Sequence, residues 1–139
     1  KRVEQPIAAG DELAVPALAV QLLDEGAVDI LRGDATTLGG ISTSADLLRT
    51  AAARMIPVST HIYPEIHRHL SLAFPDVVLM LERFPPQAAT WGADQFLATT
   101  TGVLPDRQLS GLAAPDAPGL DLEIDWKLVR AKSKHFRSS

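Results

Sequence analysis

A chain of 139 residues with 46% apolar and 22% charged residues has the balance of one ordinary globular domain. Its net charge of -4, with the signs interspersed, offers no basic run for nucleic acid and no acidic disordered arm. The absence of cysteine excludes a disulfide framework and a thiolate metal site and suits a cytoplasmic protein, and no apolar run approaches the roughly 18 residues that a membrane span needs.

Short apolar runs alternate with helical patterns along the chain, the signature of a parallel α/β fold. The opening Lys1-Arg2-Val3-Glu4 carries no signal-like stretch and reads as a cut from something longer. The first run, Pro6 to Gly10, ends at Asp11. A helix follows, with Pro16 in its first turn, Leu18, Leu22 and Leu23 on one face, and Gly26 as its stop. The second run, Val28 to Leu31, ends at Gly33-Asp34. Gly39-Gly40 then permits a tight turn, and Thr43 or Ser44 is expected to cap a helix that buries Leu47, Leu48, Ala51, Ala52 and Met55. The third run, Ile56 to Thr60, ends at His61, and Pro64 opens a helix with Ile66, Leu70 and Ala73 on one face. The fourth run, Val77 to Leu81, ends at Glu82. Runs this short and this apolar suit parallel strands buried on both faces. Beyond Glu82 the pattern dissolves into loop signals such as Pro85-Pro86 and Thr99 to Gly102, with one short helix expected around Asp94 to Leu97.

Each run therefore ends in an ionisable residue: Asp11, Asp34, His61 and Glu82. Successive members are one βα unit apart. In an α/β barrel the carboxyl ends of the strands form the active-site face, so four consecutive strands would aim these side chains into one mouth. Adjacent strands lie about 4.8 Å apart, which brings Asp34 within reach of His61. A carboxylate that holds an imidazole fixes its tautomer and raises its basicity, a proton-transfer device. Asp11 is a hard oxygen ligand suited to Mg²⁺, and a protonated Glu82 could donate to a developing oxyanion. Plainer roles stand beside these. Asp34 can cap the loop holding Gly39-Gly40, Asp11 can cap the next helix, Glu82 can pair with Arg83 at the surface, and His61 can be structural.

A zinc site from His61, Glu65, His67 and His69 is disfavoured. Pro64 works against a helical Tyr63, and His67 and His69 diverge by roughly 200° around a helix, which leaves them on helix flanks. Trp91 and Trp126 are isolated and suit packing. The basic stretch from Lys127 to Arg137 suits a solvated tail.

The segments PIAAGDE, VDILRGDATTLGGIST, IPVSTHIYPEIHRHL, VVLMLERF and PGLDLEIDW, in this order and spacing, resemble the C-terminal half of enolase superfamily proteins of the mandelate racemase/muconate lactonizing enzyme family, mandelate racemase branch, over about residues 3–130. The resemblance implies the second half of a (β/α)8 barrel, strands 5–8 with their helices, over residues 1–103. A tail over 104–139 would pack on the barrel or a capping domain. It makes Asp11 a metal ligand, with Glu12 the lesser choice, Asp34 and His61 the catalytic dyad, and Glu82 the group that hydrogen-bonds an enediolate. It implies Mg²⁺ holding a substrate carboxylate while a base removes the α-proton. Other branches place a lysine on the sixth strand; the lysines here are Lys1, Lys127, Lys132 and Lys134, none at a strand mouth, which favours the His–Asp branch. The reaction implied is dehydration of an acid sugar, with racemisation or epimerisation of a hydroxy acid as the alternative. A degenerate barrel with a structural role is the alternative of another class. Two features depart from the pattern: Asp121 stands where the family's tail has a second glycine, and the barrel's first four strands and capping domain lie outside this sequence. A half barrel exposes two strand edges and its apolar interior, so the expected partners are the rest of its own chain, a small carboxylate substrate and further copies in a homo-oligomer, without nucleic acid or membrane.

Overall fold

The computed structural model describes residues 4–83 and 116–133. Contacts divide the chain into two compact units, Lys1–Arg83 and Phe84–Ser139. The expected boundary at 103/104, the helix expected around Asp94 to Leu97 and Trp91 lie outside the described residues.

The first unit runs β1 (Ala8–Ala9), α1 (Pro16–Asp24), β2 (Ile30–Gly33), α2 (Ile41–Ala53), β3 (Val58–Thr60), α3 (Pro64–Ala73) and β4 (Val78–Leu81). The strands form one parallel sheet in the order β1-β2-β3-β4. Every crossover advances by one strand in the same direction. Since such connections are right-handed, all three helices fall on one face of the sheet, the single winding of a barrel rather than of an open two-sided sheet. The core lies beneath those helices: Ala19 and Leu23 of α1, Leu47, Leu48 and Ala51 of α2, and Leu70 of α3 meet Leu31, Val58 and Val78 of the strands. Burying each leucine or valine among these stabilises the fold by about 1.5–3 kcal/mol.

Local chemistry explains where elements begin and stop. Pro16 and Pro64 open α1 and α3, where a missing N–H costs nothing. At the end of α1, Gly26 (φ 58) lets its own N–H reach the Leu23 carbonyl and the Ala27 N–H reach Leu22. The same closing motif ends α2, but there Met55 takes the left-handed position (φ 55). Met55 is 91% exposed, not on the buried face expected of it. Leu18 is likewise exposed, and Ala19 takes the buried position on α1. The α2 helix starts earlier than its polar residues suggested. Gly40, in a backbone conformation open to glycine (φ 95, ψ -175), is its N-cap, and Ser44 is buried inside the helix.

In the second unit, described over 116–133, α4 (Trp126–Lys132) is capped by Asp125, whose Oδ1 accepts the Leu128 N–H at 2.9 Å. Arg130 and Lys132 sit in its last turn, where cations favour the helix dipole. Trp126 is half-exposed rather than packed. Asp121 adopts φ 50, left-handed backbone that glycine and, after it, Asp and Asn tolerate best. Among the described residues no helix is long and apolar enough to cross a membrane.

Candidate active site

The carboxyl ends of the four strands of the first unit gather Asp11, Arg32, His61 and Glu82. Gly10 sets Asp11 in place: its φ of 122 and its approach to the Arg32 carbonyl leave no room for a Cβ, so the chain turns against β2 immediately before the aspartate. Arg32 lies in register with Ser59 of β3, and its Nη1 is 3.5 Å from Ser59 Oγ. Its Nε donates to Asp11 Oδ1 and its Nη2 donates to Glu82 Oε1 at 2.8 Å, so one guanidinium bridges carboxylates on the two outer strands. His61 follows β3 directly and is tied to the end of β2 by its N–H, which donates to the Gly33 carbonyl at 2.9 Å.

Glu82 is the carboxylate that holds His61. Its Oε2 lies 2.8 Å from His61 Nδ1 and also accepts the Ile62 N–H at 2.8 Å. Partial burial pushes the Glu82 carboxyl up, but the Ile62 N–H, the Arg32 guanidinium and the His61 ring outweigh it and hold the group below its ordinary value. Burial likewise works against the charge on Arg32, and its bonds to Asp11 and Glu82 outweigh that and raise its pKa. Arg32 Nη2, a donor, also lies 3.1 Å from Nδ1, but the closer Glu82 Oε2 and the Asp11 Oδ1 at 3.3 Å are acceptors, so the imidazole proton is assigned to Nδ1 and Nε2 faces the rim, 3.4 Å from Oε1 of the exposed Glu12. The hydrogen-bond donation expected of Glu82 needs the opposite protonation state; here both of its oxygens accept.

Asp34 goes elsewhere. It is buried, and its carboxylate accepts the Thr36 N–H and the Thr36 hydroxyl, each at 2.8 Å, the loop-capping arrangement. Its other neighbour is His67, with Nε2 3.3 Å from Oδ1. No hydrogen bond joins Asp34 to His61, so the expected Asp34–His61 pair is not formed. The chain leaves strand geometry after Gly33, and Asp34 turns over the strand end instead of facing along the rim with Arg32. His67, expected on a helix flank, is 1% exposed. It donates from Nδ1 to the Ile62 carbonyl at 2.6 Å and accepts the Ala35 N–H on Nε2 at 2.9 Å.

Arg32 and His67 were the residues the strand-end rule passed over. A charged residue closing an apolar strand run was the signal for the first. Its position one turn from Leu70 and Ser71 on the buried face of α3 was the signal for the second. Of the possible metal ligands, Asp11 presents a hard carboxylate oxygen, about a third exposed, that fits Mg²⁺. Among the described residues no group of three or more His, Cys, Asp or Glu is placed to hold a metal ion. Asp11 therefore fits as one ligand of a set that these residues do not complete, and the zinc cluster is not assembled.

A singly wound parallel α/β unit with its charged residues collected at the carboxyl ends of the strands is the rim of a barrel-type domain. The chain belongs to the enolase C-terminal domain-like family, whose family model matches residues 1–128. No curated protein matches it. Among solved structures it is similar to a mandelate racemase/muconate lactonizing enzyme from Polaromonas sp. JS666, at 25% identity and TM-score 0.75 over 95% of this chain and 33% of that one. It is similar to L-talarate/galactarate dehydratase from Salmonella typhimurium LT2, at 34% identity and TM-score 0.55 over 59% of this chain and 20% of that one. It is also similar to L-talarate dehydratase from Polaromonas sp. JS666, solved with Mg and L-glucarate, at 31% identity and TM-score 0.54 over 58% of this chain and 22% of that one. The chain thus spans a fifth to a third of the length of these structures.

Proposed function

We propose that the protein containing this chain is a Mg²⁺-dependent enzyme that removes the proton α to a carboxylate, with dehydration of an acid sugar as its reaction. The observation that carries the reading is the His61–Glu82 contact at the rim, with Nδ1 held by a carboxylate and Nε2 facing the exposed Glu12 across 3.4 Å. His61 Nε2 would take the α-proton, and the C–H electron pair would pass into an enediolate. Glu82 would stabilise the imidazolium so formed, since it is ionised and already aligned with Nδ1. Arg32, beside both, would oppose the new negative charge. For dehydration the β-hydroxyl then departs with the proton returned from His61 Nε2, so that water leaves and the acid is left unsaturated. A divalent cation on Asp11 and on ligands outside the described residues would supply Lewis-acid charge to the substrate carboxylate. Strand numbers 5–8 for β1–β4 belong to the same proposal.

The acid-sugar choice draws on the dehydratases among the similar structures, one of which holds L-glucarate. Racemisation or epimerisation is the second reading, favoured by the mandelate racemase/muconate lactonizing enzyme that matches 95% of the chain. The test is deuterium incorporation at the α-carbon of galactarate and L-glucarate in deuterated buffer with Mg²⁺ and the full-length protein. Exchange with loss of water supports dehydration, and exchange with inversion alone supports epimerisation. Absence of exchange across a panel of acid sugars and hydroxy acids would overturn the reading.

A further inference from the structure

We propose that His67 is a positioning residue: through the Ile62 carbonyl it holds the turn that aims His61 at Glu82. The role deepens the proton-transfer reading of His61 and rests on it, but the turn it explains is independent of any reaction.

Ile62 and Tyr63 both have left-handed backbone, with φ of 52 and 42. For a β-branched isoleucine that conformation is an outlier, and such strain persists only where the surroundings over-determine it. Five hydrogen bonds do so here. The His61 N–H is fixed to Gly33, the Ile62 N–H to Glu82, and the Tyr63 carbonyl accepts from the Ile66 and His67 N–H groups as α3 begins. The fifth is the side-chain bond from His67 Nδ1 to the Ile62 carbonyl, at 2.6 Å. Ile62 thus sits between two groups: its N–H is held by the carboxylate that also holds His61, and its C=O by the buried imidazole. Moving either end rotates the peptide next to His61.

The state of His67 follows from its partners. Nε2 accepts the Ala35 N–H, so the proton is on Nδ1 and the ring is neutral, with both nitrogens satisfied by main chain. Asp34 lies beside Nε2, but its hydrogen bonds run to Thr36. Its part is to shape the turn that delivers the Ala35 N–H to the ring. His67 thereby ties the loop after β2 to the loop after β3, the loop that carries His61.

Three variants of the full-length protein test this. Glutamine has a donor and an acceptor and enough reach to serve both partners, asparagine has the same groups on a shorter stem, and leucine has neither. With galactarate as probe in deuterated buffer, His67→Leu is expected to lower kcat for α-proton exchange about 100-fold with KM little changed, the scale of a misplaced catalytic group. His67→Gln should recover most of that loss and His67→Asn less. In parallel, exchange of the Ile62 backbone amide should quicken about tenfold in His67→Leu and stay near wild type in His67→Gln. Should leucine prevent folding, the glutamine and asparagine variants are compared with wild type alone. Equal kcat and equal Ile62 protection in all folded variants would overturn the proposal. If wild type exchanges no α-proton, the proton-transfer reading falls, and the Ile62 amide still decides whether His67 holds the turn.

Discussion

The first unit contains two histidine–carboxylate pairs of the same chemistry in opposite settings. His61 and Glu82 stand at the rim with side chains 14% and 26% exposed, amid Arg32, Asp11 and Glu12. His67 and Asp34 lie behind the strand ends, 1% and 4% exposed, and their hydrogen bonds run mainly to main chain. A histidine whose two nitrogens are both occupied by backbone is a structural clamp. One whose Nδ1 is held by a carboxylate and whose Nε2 faces the rim can move a proton. The difference teaches that the pairing of types is weak information, and that the partner of the second ring nitrogen decides the role.

The difference can be broken experimentally in steps. The largest effect is expected from His61→Asn, which keeps the ring position polar but removes the proposed base; α-proton exchange should fall about 10²–10⁴-fold, measured by deuterium incorporation in the full-length protein. A near-normal rate would move the base elsewhere. Next is Arg32→Met. The rim pair is held by charge, so losing the shared cation should destabilise the protein by about 1–3 kcal/mol in denaturant unfolding. The buried pair, held by backbone, should keep its His67 resonances unchanged.

A smaller effect separates the pairs by pH. Glu82 has a lower pKa folded than unfolded, so its ionised form contributes stability that is complete above the unfolded value. That contribution is lost as pH falls through the folded one. Acid titration of stability should therefore show a decline below about pH 5 that Glu82→Gln flattens. The smallest effect concerns strain without function. Met55 shares the left-handed geometry of Ile62 but is exposed at the end of α2. Met55→Gly should stabilise by about 0.5–1 kcal/mol, read as a raised Tm, with no change in exchange rate.

Much of the fold was legible because single-winding α/β architecture writes itself in short apolar runs and helical spacing. The strand ends were predicted to within a residue or two, and Pro16, Gly26 and Pro64 sit at element ends for the reasons their chemistry gives. Strand starts were read one or two residues too early: Val28 packs in the core ahead of β2, and Val77 packs against it while lending only its carbonyl to the Val58 N–H of β3. The site was half legible. Asp11, His61 and Glu82 converge, because strand order brings them together. Asp34 does not, because the chain bends after Gly33 and a local bond to Thr36 wins over a longer reach. Arg32 and His67 act through partners distant in sequence, and no local pattern announces which long-range bond forms.

Glu82, not Asp34, is the carboxylate that holds the rim histidine. Nitrogen NMR of the imidazoles in the full-length protein addresses it directly. With Nδ1 protonated in both rings, Glu82→Gln should shift the His61 nitrogen signals more than those of His67, and Asp34→Asn should shift those of His67 more than those of His61. A shift of His61 on Asp34→Asn with none on Glu82→Gln would contradict it.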